Sequence, residues 1–285
     1  MNNPQTQRKK GGIAFRLTDR DAAIIKAVNA FRYMRTGQIN RLVFSGNTSP
    51  QSCQKRLKLL YHNKYLDRVP PFLQQGNQDQ NADMAYRLDF MGARYLDDFG
   101  IPVLYSRKKT RVKHNFLLHA LDLSEFRLNL ELALAQSENL AMRKFIPDFL
   151  QKEGQPKLMG LNRYRLYDEI SDPATGQKAI FYPDALVVLE NTKAESKRLF
   201  FVEIDRGTEG LETIRRKIAA YHLYATYNQQ SKFGPYAKFV VLFQTNSPRR
   251  AENMVRLINE MQCQPTVLVT DHKEVTPDTI LKGEI

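Results

Sequence analysis

Acidic residues interrupt two runs of this sequence that otherwise read as buried strands. Asp184 follows Pro183 and leads into Ala185-Leu186-Val187-Val188, and Glu203 and Asp205 close the run Leu199-Phe200-Phe201-Val202. Alternate residues of a strand project from one face, so Glu203 and Asp205 are expected to point the same way. If the two strands pair as a hairpin, Asp184 joins them. Three carboxylates in a partly dry site repel one another unless a cation lies among them. Hard oxygen ligands suit Mg2+ or Mn2+, and such an ion activates water and stabilises the charge that develops in phosphodiester cleavage. The competing reading is that Asp205-Arg206-Gly207-Thr208 merely turns a strand into a helix and that Asp184 caps something local. The combination favours the nuclease-like chemistry: Pro-Asp, then nineteen residues on Glu-x-Asp at the end of an apolar strand, then a helix.

Other chemistries have less behind them. His119 and Asp122 share a helix face, a pairing that is more often structural than catalytic, and Glu125 on the same helix is a weaker candidate for the metal site. The histidines are His62, His114, His119, His222 and His272, with no His-x-His cluster, and no Gly-x4-Gly-Lys-Ser/Thr phosphate loop is present. ATP is therefore not expected.

The elements that must position the carboxylates read as an α/β domain over residues 114–285. A Leu-rich helix is expected at 114–136, and a strand at Arg163–Glu169 is followed by a turn at Asp172–Gly176. Apolar strands follow at Ile180–Leu189 and Arg198–Asp205, then a helix from Gly210 to Tyr227. A strand at Ala237–Gln244, a helix at Pro248–Met261 and a strand at Thr266–Thr270 complete the pattern. Strands apolar on both faces, alternating with helices, imply a sheet covered on both sides.

Charge separates this domain from what precedes it. Residues 1–113 carry 21 Lys or Arg against 8 Asp or Glu, whereas residues 114–285 carry 22 of each, so the whole net charge of +13 sits in the first part. A basic module joined to a neutral one suggests a grip on a polyanion plus a second function. Residues 1–16 read as a basic flexible arm. Thr18 is an N-cap with Asp19 and Asp21 in the first turn, followed by Ile24, Ile25, Val28 and Phe31 at helical spacing. A short helix follows Thr36, and Ser49-Pro50 starts a third. In that third helix Cys53, Leu57 and Leu60 form the apolar stripe. Gln51, Gln54, Lys55, Lys58 and His62 fall opposite, with Arg56 at the border. Amides suit adenine and cations suit phosphate or guanine, which makes Gln51, Gln54, Lys55, Arg56 and Lys58 candidate DNA contacts. Strands at Tyr65–Val69 and Tyr86–Phe90 flank a polar stretch with the composition of a wing, and a helix follows at about Met91–Asp98. Three helices and a two-stranded wing give a winged helix-turn-helix over residues 17–105, with helix 49–63 as the reader of the major groove. The same fold also serves as a protein adaptor, a reading that the local charge disfavours. Residues 106–113 form a basic linker whose Arg107, Lys108 and Lys109 are expected to meet phosphates.

Pro183-Asp184 followed by Glu203-Ile204-Asp205 resembles the PD-(D/E)XK motif of restriction-endonuclease-like folds. The longer strings Phe181-Tyr182-Pro183-Asp184-Ala185 and Phe201-Val202-Glu203-Ile204-Asp205-Arg206-Gly207-Thr208-Glu209 are similar to the plasmid replication-relaxation family, which includes relaxases of the MobC type. The resemblance runs from about Leu17 to Thr270 and implies a winged helix joined to a nuclease-like domain. It implies Asp184, Glu203 and Asp205 as ligands of Mg2+ or Mn2+, and site-specific nicking of DNA at an origin. Asp205 stands where most such nucleases have Lys; Lys217 and Tyr221, one turn apart on the following helix, are the candidates to supply the missing group.

The expectation is thus a sequence-specific DNA-binding protein of plasmid mobilisation or replication that acts on double-stranded DNA, with other relaxosome or replication proteins as further partners. A non-catalytic DNA-binding regulator is the rival. No apolar run is long enough to span a bilayer. The polar opening has no apolar core of a signal peptide, and Cys53 and Cys263 lack disulfide or zinc spacing, so the expected compartment is a reducing cytoplasm.

Overall fold

The computed structural model describes residues 8–9, 11–44, 50–69, 84–105, 112–154, 159–176, 178–227, 233, 238–261 and 265–271. The chain divides into two compact units, Met1–Leu128 and Asn129–Ile285.

In the first unit, helix α1 (Asp19–Phe31) starts from a capping box: Asp21 N–H donates to the Thr18 side chain, and Thr18 N–H donates to the Asp21 carboxylate at 2.8 Å. Its Ile24, Ile25 and Val28 are wholly buried. Strand β1 (Met34–Arg35), helices α2 (Thr36–Val43) and α3 (Pro50–His62), strands β2 (Leu66–Val69) and β3 (Ala85–Leu88) and helix α4 (Phe90–Asp98) follow. The strands form an antiparallel sheet in the order β1-β3-β2, with Met34 opposite Tyr86 and Leu66 opposite Leu88. The wing expected between β2 and β3 lies outside the described residues. The strand expected to reach Phe90 stops at Leu88 because the Asp89 carboxylate accepts from Phe90 N–H and caps α4. Helix α4 then packs hard on the chain entering β2: a Cβ on Gly92 would sit 2.2 Å from the Tyr65 carbonyl oxygen.

Two parts of this unit differ from the sequence expectation. Of residues 1–16, read as a free arm, the described ones are docked. The Arg8 guanidinium donates to the Leu66 carbonyl at 3.1 Å and pairs with Asp67 at 3.0 Å and Asp89 at 2.6 Å. The Asn63 amide donates to the Ile13 carbonyl at 2.9 Å, and Phe15 meets Tyr65 edge-on. The second difference is helix α5 (His114–Leu134), assigned from sequence to the second domain, which belongs to the first unit through Leu128. Leu117 and Leu121 are buried with Tyr33, Val69 and Ala85. The buried Ser124 hydroxyl donates to the Tyr33 carbonyl at 2.8 Å, and Arg127 donates to that of Ala30 at 2.8 Å. The charge change near residue 113 therefore does not coincide with the compact boundary.

The second unit holds strands β4 (Leu140–Pro147), β5 (Asp168–Ser171), β6 (Lys178–Phe181), β7 (Ala185–Asn191) and β8 (Ser196–Asp205), then helix α6 (Leu211–Tyr227), strand β9 (Phe239–Thr245), helix α7 (Pro248–Met261) and strand β10 (Thr266–Asp271). A five-stranded mixed sheet runs β10-β9-β8-β7-β4, with β8, β9 and β10 mutually parallel and β8, β7 and β4 antiparallel. Strand β4 was not foreseen, and the expected strand 180–189 is two strands. Pro183 has no N–H to donate to a ladder, so β6 pairs with β5 in a separate hairpin and β7 starts afresh at Ala185. The strand expected at Arg163–Glu169 begins only at Asp168, and Arg163 instead ends a 3-10 turn, Gly160–Arg163. Helix α6 buries Ile214, Ile218, Tyr221 and Tyr224, and α7 buries Met254 and Leu257, in one core with Leu199, Phe201 and Phe243. Phe181 stacks on Tyr224 with ring centroids 4.1 Å apart. This rigid layer fixes the carboxyl ends of β8 and β9, the edge of a parallel arrangement where ligands usually bind. Among the described residues no helix is long and apolar enough to cross a membrane.

Candidate active site

Glu203 lies near the end of β8, 3% exposed. A carboxylate this deep needs partners, and helix α6 supplies two from positions one turn apart. Lys217 Nζ donates to Glu203 Oε2 at 3.0 Å, and the Tyr221 hydroxyl donates to Oε1 at 2.6 Å. Asp184 brackets Glu203 across the β7–β8 hairpin. Its N–H donates to the Val202 carbonyl at 3.0 Å, and its Oδ2 accepts from Ile204 N–H at 2.7 Å.

The electrostatics follow from burial. Loss of water pushes the Glu203 carboxyl up to about 7; Lys217 opposes this, the like charge of Asp184 adds to it, and the Tyr221 hydroxyl opposes it. Burial also works against the Lys217 ammonium, but the carboxylates of Glu203, Asp184 and Glu209 outweigh it and hold Lys217 protonated above its ordinary value. Lys217 Nζ is also 3.0 Å from Glu209 Oε2. The Tyr221 phenol, buried beside Glu203, is driven well above its usual range.

Asp205 is placed differently. Arg250, near the start of α7, holds it in two-point fashion, Nε to Oδ2 at 2.9 Å and Nη2 to Oδ1 at 3.0 Å, and the Thr245 hydroxyl donates to Oδ2 at 3.0 Å. Arg250 Nη2 also reaches the Glu209 carbonyl at 2.7 Å, which ties down the turn after β8 where Gly207 takes a positive φ of 71°. Neither Arg250 nor Thr245 was singled out from sequence, since nothing in the local pattern links Asp205 to a residue 45 positions on. Glu125, the weaker metal candidate, accepts from Gln38 at 2.9 Å and pairs with Arg41 within the first unit.

Among the described residues no group of three His, Cys, Asp or Glu side chains is arranged to share an ion. Asp184 and Glu203 nevertheless fit Mg2+ or Mn2+. They are adjacent hard donors, and Mg2+ is commonly held by one or two carboxylates while keeping water on its other positions. Both oxygens of Glu203 and both of Asp205 already accept hydrogen bonds, but the Asp205 charge is already met by the two-point Arg250 pair with Thr245 beside it, so Asp205 is the weaker third ligand.

On helix α3, Gln51, Gln54, Lys55 and Lys58 are exposed, opposite the buried Cys53, Leu57 and Leu60. Arg56 faces back into the protein: its Nε donates to Oδ1 of the fully buried Asp21 at 2.8 Å and its Nη2 to the Arg16 carbonyl at 3.1 Å. His62, expected on the outer face, is buried, and its Nδ1 accepts from Lys9 N–H at 3.1 Å. Arg107, Lys108 and Lys109 lie outside the described residues.

A family model described as replication-relaxation matches residues 25–239, about three quarters of the chain. The chain belongs to the replication-relaxation family. That membership links it to plasmid replication and mobilisation. The matched span includes α3, Asp184, Glu203, Asp205 and Lys217, and ends before Arg250. No curated protein and no solved structure matches the chain.

Proposed function

We propose that this member of the replication-relaxation family is a sequence-specific DNA-binding protein that nicks DNA at a plasmid origin by metal-dependent phosphodiester hydrolysis. In this reading the first unit is a winged helix-turn-helix and the second a PD-(D/E)XK nuclease-like domain. The hydrolytic part rests on one observation: at the carboxyl end of β8 Lys217 donates to the buried Glu203, and Asp184, bonded to the neighbouring Ile204 N–H, adds its charge beside it. Asp184 and Glu203 would hold Mg2+ or Mn2+, which when bound supplies Lewis acidity toward a phosphate oxygen and a water of lowered pKa. Lys217, kept charged by three carboxylates, brings fixed positive charge to where a phosphate oxygen gains negative charge. Because it comes from α6, it supplies the cation that position 205 lacks. Arg250 orders the turn from β8 into α6 and so holds Glu209 near Lys217. The DNA-binding part is supported by the excess of 21 basic over 8 acidic residues in positions 1–113 and by the exposed Gln51, Gln54, Lys55 and Lys58 on α3.

A second reading, a DNA-binding regulator without catalysis, draws on the Arg250 clamp, which already neutralises Asp205 and makes it a poorer ligand. Calorimetry with Mn2+ and a nicking assay on supercoiled plasmid carrying the cognate origin separate the two. Wild-type protein is expected to bind Mn2+ and nick, while Asp184→Ala and Glu203→Ala lose both and keep their affinity for duplex. Wild-type protein that binds no Mn2+ and leaves cognate plasmid intact belongs to the regulator reading. A phosphotyrosine adduct on the cut strand would retain an enzyme and discard hydrolysis by water.

A further inference from the structure

A cleft of about 670 Å3 opens in the second unit between the outer side of β6 and helix α6, extending to Met261 at the end of α7. Lys178, Arg216 and Lys217 line it, and none of the described lining residues is acidic. Its floor is apolar, with Ile180, Ala219 and Leu223 contributing, and Ile180 is 61% exposed where a strand residue of this type would ordinarily be covered. Lys217 belongs to two places at once: it borders the cleft and donates to Glu203 Oε2 at 3.0 Å. Whatever lies in the cleft therefore ends at the candidate active site.

We infer that this cleft holds an unpaired stretch of DNA, its phosphates against Lys178 and Arg216 and its bases or sugars on the apolar floor. The inference rests on the reading of the second unit as a nuclease and names the form of substrate beside the cut. Charge argues for a polyanion, because Lys178 and Arg216 line one concavity whose described lining holds no carboxylate, while Lys217 at its border is paired with Glu203 and Glu209. Size argues for a single strand: a cleft in the 300–1,000 Å3 range encloses a small organic ligand and cannot admit a duplex. The apolar floor suits bases that have left the stack, since exposed bases and sugars gain from burial against side chains while a duplex offers chiefly phosphates. Among the described lining residues His222 is the one aromatic ring and there is no Asn, Gln, Asp or Glu to read base edges, so the grip should be indifferent to sequence.

Full-length protein is titrated into a short fluorescein-labelled oligothymidylate and, separately, into labelled duplex, with EDTA present and anisotropy as the readout. The double variant Lys178→Glu, Arg216→Glu should lose about tenfold or more in single-strand affinity. Its salt slope should fall by about 1.4, since each phosphate contact on a single strand contributes about 0.7. Duplex affinity, carried by α3, should stay within about twofold of wild type. Ala219→Trp, neutral and at an exposed helix position, should lower single-strand affinity by filling the cleft. The proposal is overturned if the double variant binds oligothymidylate like wild type, if it loses single-strand and duplex affinity equally, or if Ala219→Trp binds like wild type. Should the double variant fail to fold, Ala219→Trp decides alone. Because no metal is present, a protein that grips the single strand but never nicks keeps the cleft and loses the nuclease reading; one that nicks without single-strand binding does the reverse.

Discussion

At Glu203 the protein keeps a carboxyl almost wholly buried, and its partners show how that is tolerated. Lys217 and Tyr221 donate to its two oxygens, yet burial still lifts its pKa to about 7. A group raised in the folded state stabilises most below its unfolded value, ordinarily near 4.3, and that contribution is lost as pH rises through about 7. Glu203→Gln removes the titration. Thermal melts without metal between pH 4.5 and 7.5 should therefore show the variant gaining on wild type as pH rises, and a constant difference would mean that Glu203 titrates normally. A second residue-scale prediction separates structure from recognition on α3. Arg56→Ala takes the paired cation from the fully buried Asp21, leaving its charge only the Thr18 donors, and should cost about 3 kcal/mol in denaturant unfolding. Lys55→Ala and Lys58→Ala, at exposed positions, should change stability by less than about 0.5 kcal/mol. Equal stability for all three would mean that the Arg56–Asp21 pair contributes nothing to the fold.

At the scale of elements, what could be read from sequence was what repeats within one segment. Helices α1, α6 and α7 carry apolar residues at helical spacing; α1 starts after its expected cap Thr18, and the expected bounds of α6 and α7 lie within a residue of those observed. The meeting of Lys217 with Glu203 was open to reasoning for the same reason, because the helix after β8 must lie back across it. Strand β4 was hidden: Arg143 and Lys144 break its alternation, and a bulge shifts its register between Met142 and Lys144. The Asp205–Arg250 clamp depends on β9 lying parallel to β8 with Thr245 beside Asp205, a pairing that no local pattern encodes. Helix α3 yields its own prediction. Lys55→Ala and Lys58→Ala should each weaken duplex binding by about 1 kcal/mol and lower the salt slope by about 1. Unchanged affinity in both, read by anisotropy, would move the DNA contact off this helix.

For the whole molecule, the mismatch between charge and packing has a consequence for where the chain can be cut. The positive excess ends near residue 113, which suggests that residues 1–113 form a self-sufficient DNA-binding module. Packing argues otherwise, because α5 carries part of the first unit's core. Leu117 and Leu121 are buried with Tyr33, Val69 and Ala85. The Ser124 hydroxyl and the Gln38 amide tie α5 to the ends of α1 and α2. Removing α5 exposes that apolar surface, and each buried Leu lost costs about 2 kcal/mol or more. It also strands the side-chain NH2 of the buried Gln38, which donates to the Leu121 carbonyl and Glu125. Against a typical stability of about 5–15 kcal/mol, losses of this size are enough to prevent cooperative folding. A fragment of residues 1–134 should therefore melt cooperatively and bind duplex with the full chain's salt slope. A fragment of residues 1–113 should melt broadly or not at all, and whatever DNA it binds should be bound without sequence preference, as expected of an unfolded polycation. Calorimetric melting of both fragments, followed by anisotropy on cognate and scrambled duplex, reads both quantities. If residues 1–113 melt as sharply as 1–134 and discriminate cognate DNA equally well, α5 is an appendage of the first unit and the charge boundary is the true one.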